Sequence, residues 1–154
     1  MKTTNDGKPW EIMLVEDNKG DIGLVEEAFS DSGIIYNLKA ITNGREALEY
    51  LKRKNGKGYD NPPDLIILDL NLPILGGLDV LKEIKTDEKL DQIPVVILTT
   101  SEAEKDIFNS YKLKANSYVT KPVDFDEFMD IVNNIKDYWL SIVKLPPKKY
   151  LVSG

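Results

Sequence analysis

Two residue types are missing from this chain altogether, cysteine and histidine. Without cysteine there are no disulfides and no thiolate metal sites, which fits a cytoplasmic protein. Without histidine the chain lacks the commonest general base and the commonest transition-metal ligand, and it cannot carry a phosphohistidine. No apolar stretch approaches the ~20 residues that a membrane helix needs, so no membrane partner is expected. The first nine residues are polar and lack the apolar middle of a signal peptide. Positive charge is also scarce. With 26 acidic against 20 basic residues the net charge is −6, the wrong sign for direct nucleic-acid binding.

What is present suits one ordinary globular domain. A chain of 154 residues, 42% hydrophobic and 30% charged, is long enough to bury a real core. Three unbroken aliphatic runs stand out: Ile12-Met13-Leu14-Val15, Leu65-Ile66-Ile67-Leu68 and Val95-Val96-Ile97-Leu98. Runs of this kind, bounded by turn residues such as Pro62-Pro63, Pro73 and Pro94, read as strands buried on both faces. Tyr118-Val119 marks a shorter strand, and Ile35 to Ile41 a half-exposed edge strand.

Helical patterns separate these runs. Ile22, Val25 and Phe29 recur at helical spacing, as do Leu78, Leu81 and Ile84 after Gly76-Gly77. Asn43 with Glu46, and Ser101 with Glu104, have capping-box spacing. Asp124 and Glu127 open a last helix whose apolar stripe is Phe128, Ile131, Ile135, Trp139 and Ile142. Strand then helix, five times over, predicts an α/β fold with a parallel sheet and helices on both faces. Lys52 to Pro63 is a long polar loop, and Lys144 to Gly154 a tail with Pro146-Pro147 and Lys148-Lys149.

The chemistry gathers at the carboxyl ends of the strands, where open α/β sheets place their ligand sites. The first run ends in Glu16-Asp17 and the third strand in Asp69. Three carboxylates converge there if those strands are neighbours. Unpaired, they would repel one another until one took up a proton; a hard divalent cation such as Mg²⁺ resolves the conflict. A solvated acidic turn is the plain alternative. The fourth strand ends in Thr99-Thr100-Ser101 and the fifth in Thr120-Lys121-Pro122, adding hydroxyls and a lysine to the same edge.

Together these segments resemble the response-regulator receiver domain of two-component signalling. The matching stretches are Leu14-Val15-Glu16-Asp17-Asn18, Ile67-Leu68-Asp69-Leu70-Asn71-Leu72-Pro73, Gly77, Leu98-Thr99-Thr100-Ser101 and Tyr118-Val119-Thr120-Lys121-Pro122. Each is weak alone; the five in this order are highly specific. The resemblance implies a CheY-like, flavodoxin-like (βα)5 doubly wound sheet of five parallel strands in the order 2-1-3-4-5, an order known for a member of the family.

The same resemblance assigns roles. Asp69 is the phosphoacceptor, taking a phosphoryl group from a kinase phosphohistidine or a small phosphodonor. Mg²⁺ (or Mn²⁺) is held by Asp17, Asp69 and the backbone carbonyl of Asn71, with Glu16 acting through a metal-bound water. Lys121 and Thr99 bind phosphoryl oxygens. Thr99 and Tyr118 form the switch, residues 103–143 the readout surface, and the Lys121–Pro122 peptide bond is cis. Such a protein is not an enzyme with turnover, because it catalyses only its own phosphorylation and dephosphorylation. Its partners are a sensor histidine kinase or hybrid kinase and a downstream protein target.

Some positions depart from the family pattern. Glu16 replaces the commoner Asp, Lys114 stands where a Gly commonly ends the fourth helix, Val123 replaces a frequent Phe, and Gly76 precedes Gly77 where a polar residue is usual. None removes a phosphotransfer group. The expected organisation is a flexible leader at 1–9, a receiver domain at 10–143 and a C-terminal extension at 144–154, with no output domain. The long loop and the tail resemble single-domain regulators associated with phytochromes. Leu145, Tyr150, Leu151 and Val152 could join a symmetric homodimer, a disordered end being the alternative. Two rival classes are weaker. An aspartyl-nucleophile phosphatase would carry a second Asp two residues after the nucleophile, where Asn71 stands. A flavodoxin-like cofactor carrier would need a phosphate loop after the first strand, where Glu16-Asp17-Asn18 has the opposite charge.

Overall fold

The computed structural model describes residues 3–4, 7–53 and 62–147. Among these residues five strands alternate with five helices: β1 Trp10–Val15, α1 Lys19–Ser30, β2 Tyr36–Ile41, α2 Gly44–Leu51, β3 Leu65–Leu68, α3 Gly77–Thr86, β4 Val95–Thr99, α4 Glu104–Lys112, β5 Ser117–Thr120 and α5 Phe125–Asp137. The strands form one sheet in the order β2-β1-β3-β4-β5, with every neighbouring pair parallel. This is the doubly wound (βα)5 fold of flavodoxin and CheY, as the sequence predicts.

The aliphatic runs are continuous because each face of the sheet meets a helical layer. Alternate residues of a strand point to opposite faces. Met13, Val15, Ile66, Leu68, Val95 and Ile97 pack with Ala47 and Leu51 of α2 and Val80, Leu81 and Ile84 of α3. Ile12, Leu14, Leu65, Ile67, Val96 and Leu98 pack with Val25 and Phe29 of α1 and Phe128, Val132 and Ile135 of α5. The edge strand β2 shows only intermediate or exposed residues before Ile41.

Local signals are met unevenly. The Asn43 and Asp124 side chains accept from the backbone N–H of Glu46 and Glu127 (both 2.9 Å), capping α2 and α5. Ser101 does not cap α4. That helix begins at Glu104 behind Ala103, and Ser101 Oγ instead donates to Asp106 Oδ2 at 2.6 Å. Lys114 has φ +75°, the left-handed conformation expected of a position that favours glycine.

The stripe of the last helix is broken by a π-helical turn, Tyr138–Ile142. The wider turn changes the helical phase, so Leu140 is buried while Ile142 is 69% exposed. Leu145, expected at a dimer contact, packs against the core of its own chain. Tyr150, Leu151 and Val152, and most of the long loop before Pro62, lie outside the described residues. Among the described residues no helix is long and apolar enough to cross a membrane.

Candidate functional site

The parallel ladder carries each predicted side chain to one edge of the sheet. Beyond the strand ends, Glu16 N donates to Ile41 O (2.9 Å), Asp69 N to Val15 O (3.0 Å) and Lys121 N to Thr99 O (2.7 Å). These bonds fix the backbone from which the site residues project. Gly77 sits against the same place. A Cβ there would collide with Asp69 O and lie 2.5 Å from Leu70 Cα, so only glycine lets α3 start this close to β3. Its N–H donates to Leu70 O at 2.9 Å, closing the turn.

Glu16, Asp17 and Asp69 each offer a carboxylate oxygen, all within 4.8 Å of one another. Glu16 and Asp69 are buried and Asp17 is exposed. An all-oxygen set of this charge, open to water on one side, fits a hard divalent cation that keeps part of its hydration shell. Lys121 is the counter-charge within the cluster. Its ammonium reaches Glu16 Oε1 at 2.5 Å, Asp21 Oδ2 at 2.9 Å and Asp69 Oδ2 at 3.5 Å.

Burial works against the charge on Lys121, but the hydrogen bonds to Glu16 and Asp21 and the charges of Glu16 and Asp69 outweigh it and hold the ammonium above its ordinary range. Burial pushes the Glu16 carboxyl up to about 7, against the hydrogen bonds from Lys121 and the Asn18 backbone N–H. These two directions conflict, since one favours an ionised lysine and the other a neutral glutamate. The short Lys121–Glu16 contact is that of an ionised, charge-assisted pair, so the lysine's direction describes the site near neutral pH.

Thr99 ends β4 fully buried, its Oγ1 accepting from Ser101 N at 3.5 Å. Tyr118, half-buried on the neighbouring strand, donates its hydroxyl to Ser101 O at 2.9 Å, and its own N–H meets Tyr111 Oη at 3.1 Å. Ser101 therefore links the ends of β4 and β5, a connection its spacing to Glu104 does not announce. Asn71 N–H donates to Asp69 Oδ1 (3.3 Å), orienting the Asp69 carboxylate from within its own loop.

One expectation is corrected. Among the described residues no peptide bond is cis, so the Lys121–Pro122 bond is trans. Trans is favoured by ~0.5–1 kcal/mol at X–Pro bonds, and the chain passes in that form from the Lys121–Thr99 ladder bond to the Asp124 cap.

Asp21 is the site residue that the sequence reading overlooks. It lies in the first turn of α1, where an acid reads as an ordinary helix-dipole partner. The available signal was Asn18, three residues earlier. Asn18 caps α1 by accepting from Asp21 N (3.0 Å), and side chains in a first turn lean back toward the helix N-terminus, here toward Glu16 and Asp17.

Comparison with known proteins agrees with this arrangement. The family model described as the response regulator receiver domain matches residues 12–133. The response regulator Rcp1 of the cyanobacterium Synechocystis sp. is 41% identical over 138 residues, covering 90% of this chain and 94% of its own. The crystal structure of the phosphorylated cyanobacterial phytochrome response regulator RcpA superposes with a TM-score of 0.86 at 45% identity, covering 90% of this chain and 99% of its own. The Mn²⁺-bound form of Rcp1 gives the same TM-score at 41% identity, covering 90% and 100%. With its five-stranded 2-1-3-4-5 sheet and its acidic cluster around Asp69, this chain belongs to the response-regulator receiver-domain family and is closely related to the phytochrome-associated regulators.

Proposed function

We propose that this chain is a phosphoacceptor of a two-component phosphorelay in the cytoplasm, with Asp69 as the residue that carries the phosphoryl group. A carboxylate oxygen of Asp69 attacks phosphorus, forming an O–P bond. The N–P bond of a kinase phosphohistidine breaks, and the imidazole leaves and regains a proton. The product is an acyl phosphate. The observation that carries this reading is a buried carboxylate at a strand end, 3.5 Å from a buried ammonium and clustered with two further acids.

Asp17, Asp69 and the Asn71 carbonyl would hold Mg²⁺, with Glu16 acting through water; the Mn²⁺ in Rcp1 supports a divalent ion here. Bound there, such a cation offsets charge on the transferring phosphoryl group. Lys121 pairs with one phosphoryl oxygen and Thr99 hydrogen-bonds another. Thr99 and Tyr118 then bias the face built from residues 103–143, a two-state response to a local charge event. Phe108, Tyr111, Tyr138 and Ile142 are all exposed on that face, which suits a protein target, and a histidine kinase or hybrid kinase supplies the phosphoryl group. The same reading takes residues 10–143 as the domain and gives it a homodimeric state, which sedimentation would test.

The test of function is intact mass after incubation with acetyl phosphate and Mg²⁺. Wild type gains one phosphoryl adduct, and Asp69→Asn gains none. An equal adduct on the variant, or on wild type in excess chelator, contradicts the proposal.

A further inference from the structure

Asp21 is outside the trio of acids that can share a cation, yet it binds the one ammonium that the site's chemistry needs. Lys121 carries three N–H donors, and three carboxylates surround it. The contacts lengthen in order: Glu16 at 2.5 Å, Asp21 at 2.9 Å, Asp69 at 3.5 Å. The ammonium is thus drawn off the acceptor carboxylate toward α1. Asp21 cannot follow Lys121 freely, because its backbone N–H is tied to the Asn18 cap. Glu16 is similarly fixed, its Oε2 accepting from Asn18 N at 3.1 Å. Asn18 therefore braces both carboxylates that hold the lysine.

We propose that Asp21 is a positioning residue that holds Lys121 in a resting place, so that phosphoryl uptake requires the ammonium to exchange Asp21 for a phosphoryl oxygen. The inference rests on Asp69 being the phosphoacceptor. It makes Asp21 a brake on uptake, one that leaves the acidic cluster of Glu16, Asp17 and Asp69 intact. Because Asp21 keeps a side chain 23% exposed, it can return to water once the lysine leaves, whereas buried Glu16 cannot. The exchange at Lys121 therefore falls on Asp21.

The experiment measures the initial rate of adduct formation on the full chain from acetyl phosphate with Mg²⁺, by intact mass on quenched samples. In the reaction an Asp69 oxygen bonds to phosphorus as the acetyl O–P bond breaks and acetate leaves. Asp21→Asn is expected to take up phosphoryl about fivefold faster than wild type, the upper range for a partly exposed ion pair. Asp21→Glu restores a carboxylate and returns the rate toward wild type. Glu26→Gln, an equal charge change at an exposed position of α1, leaves the rate unchanged. The gain of Asp21→Asn persists in concentrated KCl, where the Debye length falls toward ~3 Å at 1 M and general repulsion of the anionic donor is screened.

An unchanged or slower Asp21→Asn, a Glu26→Gln as fast as Asp21→Asn, or a gain abolished by salt overturns the brake. Absence of any adduct on wild type, or an equal adduct on Asp69→Asn, would instead overturn the phosphoacceptor reading.

Discussion

Lys121→Met removes the ammonium from the acidic cluster and should expose how the site is held together. The methionine keeps most of the buried stem, so the loss is mainly electrostatic. Wild type has Glu16 and Asp69 buried, with one ammonium within 3.5 Å of both. Breaking a buried ion pair by removing one partner costs about 3–5 kcal/mol. Asp21 and Asp17 lie nearer water and add little. The cost is capped by protonation. Burial pushes the Glu16 carboxyl up, Lys121 holds it ionised, and loss of Lys121 removes two of the influences that lower it.

A carboxyl group whose folded pKa lies above its unfolded value loses stability as pH rises through that folded pKa. In chelator, Lys121→Met should therefore be only slightly destabilised near pH 5, just above the ordinary carboxyl value of 4.5, and should lose more as pH rises. By pH 8 the loss should reach about 3 kcal/mol, a fall in Tm of about 6–12 °C for a chain of this size. Denaturant titration with circular dichroism at both pH values is the assay. A loss under about 1 kcal/mol at pH 8, or the same loss at both pH values, would refute the reasoning.

Three further substitutions test parts of the scaffold. Lys136 is 5% exposed, and its ammonium donates to Ala28 O at 3.0 Å and Asn133 Oδ1 at 2.7 Å, so α5 supplies a cation to the last turn of α1. Lys136→Met leaves that carbonyl unpaired and should cost about 1–3 kcal/mol by chemical denaturation; no loss would show that the contact adds nothing. Ile74 is β-branched, 68% exposed and held at φ +69°, so Ile74→Asn should raise stability by about 1 kcal/mol, and a fall in Tm would contradict the strain. Gly77→Ala drives a methyl into the backbone of Asp69 and Leu70 and should cost more than about 2 kcal/mol, with impaired adduct formation in whatever fraction folds.

The strands were readable because a parallel sheet covered on both faces leaves four-residue aliphatic runs that no amphipathic helix shares. Glu16 and Asp69 were readable because each follows such a run directly, Asp17 because it is the next residue on, and Lys121 because it closes the shorter fifth strand before Pro122. The strand order came from family resemblance, since periodicity alone does not rank neighbours. What stayed hidden depends on contacts between distant segments or on local phase. Asp21 meets Lys121 across 100 residues. Ile142 leaves the core because a π-helical turn changes the phase of a stripe that otherwise repeats regularly. Ser101 has the spacing of a cap, but its Oγ accepts from Ala103 N–H and donates to Asp106. Lys136 sits among polar neighbours in sequence, and only the docking of α5 on α1 buries it.

The most direct test of the central claim is to locate the phosphoryl group. After incubation with acetyl phosphate and Mg²⁺, borohydride reduces an acyl phosphate to the alcohol, and peptide mass spectrometry then reads homoserine where an aspartate carried it. The account predicts homoserine at position 69 alone, and only when both phosphodonor and cation are present. Reduction at 17 or 21 with residue 69 unchanged, or modification at none of these positions, would contradict it.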